Sequence, residues 1–461
     1  MGSSTKPGSS TVLYTARWVL PIAAAAIEQG AVLTEGSTIR EVGPERDLVT
    51  ALDVPSAVRR VDLGECVLMP GLVNVHTHLE LSILRGWFEE PEFFSWIRQL
   101  TEVKYGKLSR EDFELSARWG VVEAIRAGVT TVGDASDQGV VLDALIESGL
   151  AGIAYQEVFG PDPIDCDIRT ADLGDRLAEL LHRQTARVRV GVSPHAPYTV
   201  SKPLFERTSD IARQHKLPIS LHIAESRAEV ELIRSGRGPF ADFLRGRGIA
   251  VKAHSCSPIE YLANTGILTE RPLLVHAVQL DSDDLDRLQN CDARIAHCPK
   301  SNAKLAHGVA PLTEMLTRGL RTGLGSDGTV SNNSCDLIDE ARFACLQQRA
   351  RGDLGPAKKL SAIDLVRLMT LGGAEALGVE NEIGTLEAGK RADLIAVDLS
   401  GSRHQPVIEP ETALAFTASG GDVVLTVVDG QVLYTDGKVQ TLDEVELARQ
   451  VVATTKRLRE K

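Results

Sequence analysis

Four histidines and an aspartate stand where a chain would place them to hold a cation. His76 and His78 lie two residues apart at the end of an apolar run. Alternate side chains of a strand share one face, so both imidazoles project together. His222 closes a second run and His276 a third, while Asp327 follows a fourth through Gly325 and Ser326. Neutral imidazoles and a carboxylate are the donors that bind zinc and similar divalent ions. An isolated His-x-His pair carries roughly even odds of meaning anything. Ligand-type residues at the ends of four separate runs mean more, because structural histidines scatter, as His182, His215 and His404 do here. A divalent ion in such a cradle acidifies water, and the chemistry it supports is hydrolysis.

The elements that must position these residues follow from the pattern around them. Eight apolar runs read as strands: 72–76, 129–133, 152–158, 188–192, 219–223, 273–276, 293–297 and 321–325. Amphipathic stretches between them predict helices, among them 110–127, 172–184, 202–214, 282–289 and 312–318. Ser201, with Pro203 just inside, and Ser361, with Asp364 three residues on, are expected N-caps. Eight strand–helix alternations predict an α/β fold, a (β/α)8 TIM barrel whose C-terminal strand ends carry the active site. Short strand-like runs with glycine turns flank this rhythm, at 31–33, 38–42 and 61–68 and again at 392–397, 423–428 and 431–434. The economical arrangement joins both flanks in one small composite β-domain. The expected division is 1–69 for its N-terminal part, 70–378 for the barrel, and 379–461 for its C-terminal part with a closing helix over 443–460.

Composition bounds the function classes. A net charge of −13 argues against a nucleic-acid or anionic-membrane surface. The longest apolar stretch near the start, 18–27, is too short to span a bilayer and is interrupted by Pro21. No signal peptide is read, Lys6 spoils a myristoylation signal at Gly2, and 1–10 reads as a flexible leader. The seven cysteines form no Cys-x-x-Cys pair, which suits reduced thiols and a cytoplasmic location. The partner expected is a small molecule, with neither nucleic acid nor membrane; a homo-oligomer is compatible with the composition.

Longer motifs then carry a family resemblance. The 70–78 stretch ending in His76-Thr77-His78, the 193–199 stretch Ser-Pro-His-Ala-Pro-Tyr-Thr, the 296–302 stretch Ala-His-Cys-Pro-Lys-Ser-Asn, Gly325-Ser326-Asp327, and the 383–394 stretch occur in the family's order. The chain resembles the amidohydrolase superfamily over nearly its whole length, within the branch of adenosine-type, S-adenosylhomocysteine-type and triazine hydrolases. That resemblance implies His76, His78, His222 and Asp327 as ligands of one divalent metal, zinc or alternatively iron. The fourth strand delivers His195 and no lysine, so a mononuclear centre is expected.

The resemblance implies deamination of a heterocycle. Glu225, three residues beyond His222, would protonate the ring nitrogen; in a dry pocket its pKa is expected to be raised. His276 would polarise the water, and Asp327 would pass a proton to the departing ammonia. His195 is expected to touch substrate, and Trp96, Glu80, Glu102, His297 and Asn302 are the remaining expected contacts. Relatives acting on methylthioadenosine or S-adenosylhomocysteine hold the ribose with a loop glutamate beyond a tryptophan; counted from Trp96, that place falls on Tyr105, with Glu102 nearby. Glu80, close behind the His-x-His, resembles deaminases of aminodeoxyfutalosine. Arg85, Trp87, Phe88, Phe93 and Phe94 would form an aromatic lid loop. An adenine-type nucleoside is the expected substrate. The alternatives are an aminohydrolase or chlorohydrolase of a free triazine, pterin or guanine-like ring, and an inactive binding protein on the same scaffold.

Overall fold

The eight apolar runs become eight strands in the expected order: Leu72–Thr77, Val129–Ser136, Ala151–Val158, Val188–Pro194, Ser220–Ile223, Leu273–His276, Arg294–His297 and Arg321–Leu324. The computed structural model describes residues 11–51, 58–351 and 359–460; the leader at 1–10 lies outside the described residues. Parallel pairing joins the first four barrel strands into one sheet and the last four into another. Strands covered on both faces must be apolar throughout, and every residue of Leu72–Thr77 and Val129–Ser136 is buried.

The ring is not one continuous ladder. The two half-sheets meet through single bridges, Val192 with Ile219 and Thr77 with Asp327. Asn74 reinforces the second seam: its Nδ2 donates to Ser326 Oγ at 2.8 Å and its Oδ1 accepts the Ser326 N–H at 3.0 Å. Beside it the Asp327 N–H donates to the His76 carbonyl at 2.9 Å. A buried side chain thus satisfies backbone groups that a ladder leaves unpaired. This seam ties the strand carrying His76 and His78 directly to the residue expected to complete their cradle.

Both flanks enter one nine-stranded sheet. Thr11–Val19, Ile27–Glu35, Thr38–Pro44, Arg59–Asp62 and Cys66–Pro70 come from the first part of the chain; Leu394–Asp398, Val423–Val428, Gln431–Thr435 and Lys438–Val439 come from the last. The join is antiparallel, with Leu394 opposite Pro70 and Asp398 opposite Cys66. Only Gly71 separates this sheet from the first barrel strand, and a Cβ there would stand 2.1 Å from Thr130 Oγ1. No side chain larger than hydrogen fits that crossing, so the sheet's register fixes where the His-bearing strand begins.

Several local expectations change. The helix expected at 172–184 begins earlier, as Cys166–Leu181, because Asp162 caps a 3-10 turn at Pro163–Asp165 that runs into it. Ser201 sits at the N-cap of Lys202–His215 but makes no side-chain capping bond. Ser361 does form a capping box with Asp364. The expected aromatic lid loop contains a 15-residue helix, Phe93–Lys107, whose start is capped by Glu92 accepting from Phe94 and Ser95 N–H. The closing helix is Glu444–Glu460. Among the described residues no helix is long and apolar enough to cross a membrane.

Candidate active site

His76 and His78 emerge together at the end of the first barrel strand, and the fifth strand brings His222 beside them. The ligand atoms of these three rings lie within 4.8 Å of one another. His78 Nδ1 is 2.7 Å from the Ala135 carbonyl, and His222 Nδ1 is 3.1 Å from the His195 carbonyl. A carbonyl only accepts, so each Nδ1 carries the hydrogen and each Nε2 turns a bare lone pair inward. Burial dominates their titration, holding His76 and His222 down to about 4 and His78 to about 3, so all three are neutral near pH 7.

The spacing fits a cation. His222 Nε2 stands 3.2 Å from His76 Nε2. Asp327 Oδ1 is 3.5 Å from His76 Nε2 and 3.6 Å from His78 Nε2. Ligands about 2.1 Å from a tetrahedral zinc are roughly 3.4 Å apart. Asp327 is itself held: Gly328 N–H donates to Oδ1 at 2.7 Å, and Ser301 and Ser331 hydroxyls donate to Oδ2 at 2.5 and 2.9 Å. Burial opposes its charge, but the His76 contact and the neighbouring rings outweigh that and keep the carboxyl well below its ordinary range. Asp327 and His276 both have positive φ, 59° and 74°. Strained non-glycine residues of this kind cluster at functional sites.

Glu225 faces the same space from the end of the fifth strand. Its Oε1 is 3.4 Å from His276 Nε2 and 3.1 Å from His307 Nε2, and its Oε2 accepts the Tyr198 hydroxyl at 3.2 Å. Glu229 holds it from behind, its two oxygens accepting the Ala224 and Glu225 N–H groups at 2.9 and 2.8 Å. The raised pKa expected for Glu225 is corrected. Burial pushes its carboxyl up, but the His276 and His307 imidazoles pull harder and bring it to about 2. His307, Tyr198 and Glu229 were missed as partners by the sequence reading; the signal open to it was a histidine five residues past Asn302 and an acid four past Glu225.

These groups open into a cavity of about 640 Å³, within the range that encloses a small ligand. His195, Trp96 and Glu102 line it as expected contacts would. Glu80, His297 and Asn302 do not, and the expectation that they touch substrate is corrected. Glu80 is fully buried against Lys104 Nζ at 2.8 Å; the same ammonium meets Asp137 at 2.5 Å, and Tyr105 donates to Asp137 at 2.8 Å. Asn302 sits behind His276, its Oδ1 accepting the Nδ1 hydrogen at 2.9 Å. His297 is wholly buried away from the cavity. Phe93, Trp96, Tyr198 and Phe240 build an aromatic wall; Tyr198 and Phe240 stack with centroids 4.3 Å apart.

Known proteins share this architecture. Over 442 residues the chain is 32% identical to the 5-methylthioadenosine/S-adenosylhomocysteine deaminase of Moorella thermoacetica, covering 95% of this chain and 97% of that one. It is 30% identical over 439 residues to the 5'-deoxyadenosine deaminase of Methanobrevibacter smithii, covering 94% of each. The fold matches the crystal structure of an adenosine deaminase from Xanthomonas campestris with bound zinc, with a TM-score of 0.85, 27% identity, and coverage of 99% of this chain and 100% of that one. Residues 67–433 match the amidohydrolase family. With that match running through both the barrel strands and the sheet formed by the two flanks, the chain belongs to the amidohydrolase family.

Proposed function

We propose that the protein is a hydrolytic deaminase of an adenine-type nucleoside, of the methylthioadenosine, S-adenosylhomocysteine or aminodeoxyfutalosine class, working in the cytoplasm with one divalent ion, zinc or alternatively iron. The observation that carries this reading is the placement of a proton-handling carboxylate, Glu225, beside a cradle of neutral imidazoles and one aspartate. An amino group departs as ammonia only once it is protonated, so a deaminase needs groups that deliver protons where a hydrolase expelling chloride does not. The relatives named for deamination of 5-methylthioadenosine, S-adenosylhomocysteine and 5'-deoxyadenosine support the substrate class.

His76, His78, His222 and Asp327 hold the ion in this reading. Bound there, it supplies the Lewis acidity that makes water a nucleophile near neutral pH. His276, its Nδ1 hydrogen held by Asn302, turns Nε2 toward that water and toward Glu225 and orients the water between them. Glu225 starts as a carboxylate, takes a proton from the water, and delivers it to the ring nitrogen beside the reacting carbon. Asp327 relays the second proton to the departing amine, which returns it to the carboxylate that the Ser301 and Ser331 hydroxyls hold. His195 and Trp96 bind the ring, the aromatic wall excludes water from it, and Glu102 stands at the mouth for a polar substituent.

The test is ammonia release by the metal-loaded protein from methylthioadenosine, S-adenosylhomocysteine, 5'-deoxyadenosine and aminodeoxyfutalosine, compared with guanine and melamine. Turnover of a nucleoside is expected. Turnover of only the free rings would overturn the nucleoside assignment, and turnover of none would overturn deamination.

A further inference from the structure

Glu340 is wholly buried in the first turns of the helix Leu337–Ala350, outside the cavity, and takes no part in the chemistry above. Burying a carboxyl costs stability unless its oxygens find donors. Both do, and the donors come from two other segments. Glu340 Oε2 accepts the Lys300 N–H at 3.3 Å, and Oε1 accepts from Asn332 Nδ2. The Asn332 amide cannot be turned the other way, because the same Nδ2 lies 2.7 Å from the Ser326 carbonyl, which only accepts. Burial pushes the Glu340 carboxyl up to about 8, against the pull of the Lys300 ammonium. Neither contact depends on its charge, since a carboxyl accepts from N–H groups with or without its proton.

Each donor leads to Asp327. Lys300 lies in the short helix that carries Ser301, whose hydroxyl meets Asp327 Oδ2 at 2.5 Å. Asn332 follows Ser331, whose hydroxyl meets the same oxygen at 2.9 Å. The Ser326 carbonyl that Asn332 clamps belongs to the peptide leading into Asp327, the residue held at a φ of 59°. A non-glycine residue keeps such a conformation only where its surroundings over-determine it. One buried carboxyl thus joins the two segments that fix both the backbone and the outer oxygen of Asp327.

We propose that Glu340 is the positioning residue that sets Asp327 toward the ion and the departing amine, acting through Asn332 and through the Lys300–Ser301 turn. This inference rests on the ligand and proton-relay roles given to Asp327 in the deaminase reading. Glu340 touches neither substrate nor reacting atoms; its effect is on where Asp327 Oδ1 points.

The experiment measures the zinc Kd of the full chain by competition with a chromophoric chelator, and kcat and KM at saturating zinc on the nucleoside it uses best. Glu340→Leu is expected to weaken zinc binding about 10- to 100-fold and to lower kcat, with KM changed less than about threefold. In a background carrying Asn332→Ala and Ser301→Ala, the residues through which Glu340 acts, the same substitution should weaken zinc binding by less than about threefold, because coupled residues do not add. Glu340→Gln keeps one carbonyl acceptor and falls between. If the leucine variant does not fold, the glutamine variant carries the test, and it must weaken zinc binding at least about threefold in the wild type and not in that background. A residue that serves stability alone would lower Tm and leave the zinc Kd of the folded protein unmoved; that result, or equal losses in the two backgrounds, would overturn the proposal. Failure of the deaminase reading shows separately, as a wild type that binds zinc and releases no ammonia from any nucleoside, and the zinc comparison still decides the role of Glu340.

Discussion

His307 stands 3.1 Å from the Glu225 carboxylate, although the two residues lie on different loops of the barrel mouth. With His276 at 3.4 Å it turns a buried carboxyl, which burial alone would protonate, into one held at about 2. In the proposed reaction Glu225 therefore takes from the nucleophile the proton that it passes on.

Glu225→Gln removes that proton transfer and leaves the cradle untouched. The expected result is a loss of about 10²- to 10⁴-fold in kcat, with the metal content unchanged by elemental analysis. Tyr198→Phe removes only one donor to the carboxylate and should cost about 10-fold. Full activity in Glu225→Gln would contradict the role given to it.

Asn302 never reaches the cavity, yet it fixes the ring of His276. Outer-shell partners of this kind are worth about 10- to 100-fold in activity. Asn302→Ala should lower kcat by that amount with KM and bound metal little changed. An altered KM alone would place Asn302 in substrate binding after all.

Chelation is expected to abolish turnover, and zinc to restore it at about one ion per chain. Metal binding to the folded state alone also raises Tm in proportion to RT ln(1 + [metal]/Kd). His76→Ala and His222→Ala should lose both the ion and the Tm gain; His195→Ala should keep both. Retention of metal by the first two variants would break the ligand assignment.

Lys104 is the buried counter-charge of Glu80 and Asp137. Removing one partner of such a cluster leaves buried charge uncompensated, which costs about 3–5 kcal/mol. Lys104→Met should show that loss in urea unfolding, and adding Glu80→Gln should recover part of it. A Lys104→Met protein as stable as the wild type would mean that the carboxyls are neutral without it.

Stability should also fall with rising pH through one buried acid remote from the cavity. Burial pushes the Asp393 carboxyl up to about 7, although it accepts the Asp429 N–H at 2.6 Å. Between its ordinary unfolded value, about 3.9, and about 7, the folded chain holds a proton that the unfolded chain has released. The stabilisation is full below that window and lost as pH rises through it, by an amount on the order of 1–4 kcal/mol. Asp393→Asn keeps the acceptor and cannot ionise. Its Tm between pH 5 and 8 should decline less than that of the wild type, and parallel curves would refute the assignment.

The fold class, the order of the eight barrel strands and the gathering of His76, His78, His222, His276 and Asp327 at one end of the barrel were legible in the sequence. The reason is that strand periodicity is local: two residues apart means one face, and the last residue of a parallel strand means one rim. The joining of the two flanks in one sheet was legible for a related reason, since short alternating runs cannot bury a face unless they pair. Tertiary structure alone decided what surrounds those residues. Glu80 lies beneath Lys104 instead of in the cavity because Phe93–Lys107 is a helix that lays its lysine across the end of the first strand. Glu225 is ionised because two histidines from later in the chain, His276 at the end of the sixth barrel strand and His307 in the loop after the seventh, converge on it. Protonation and pairing depend on distances between groups far apart along the chain. Those distances follow from the paths of loops, which have no period to read.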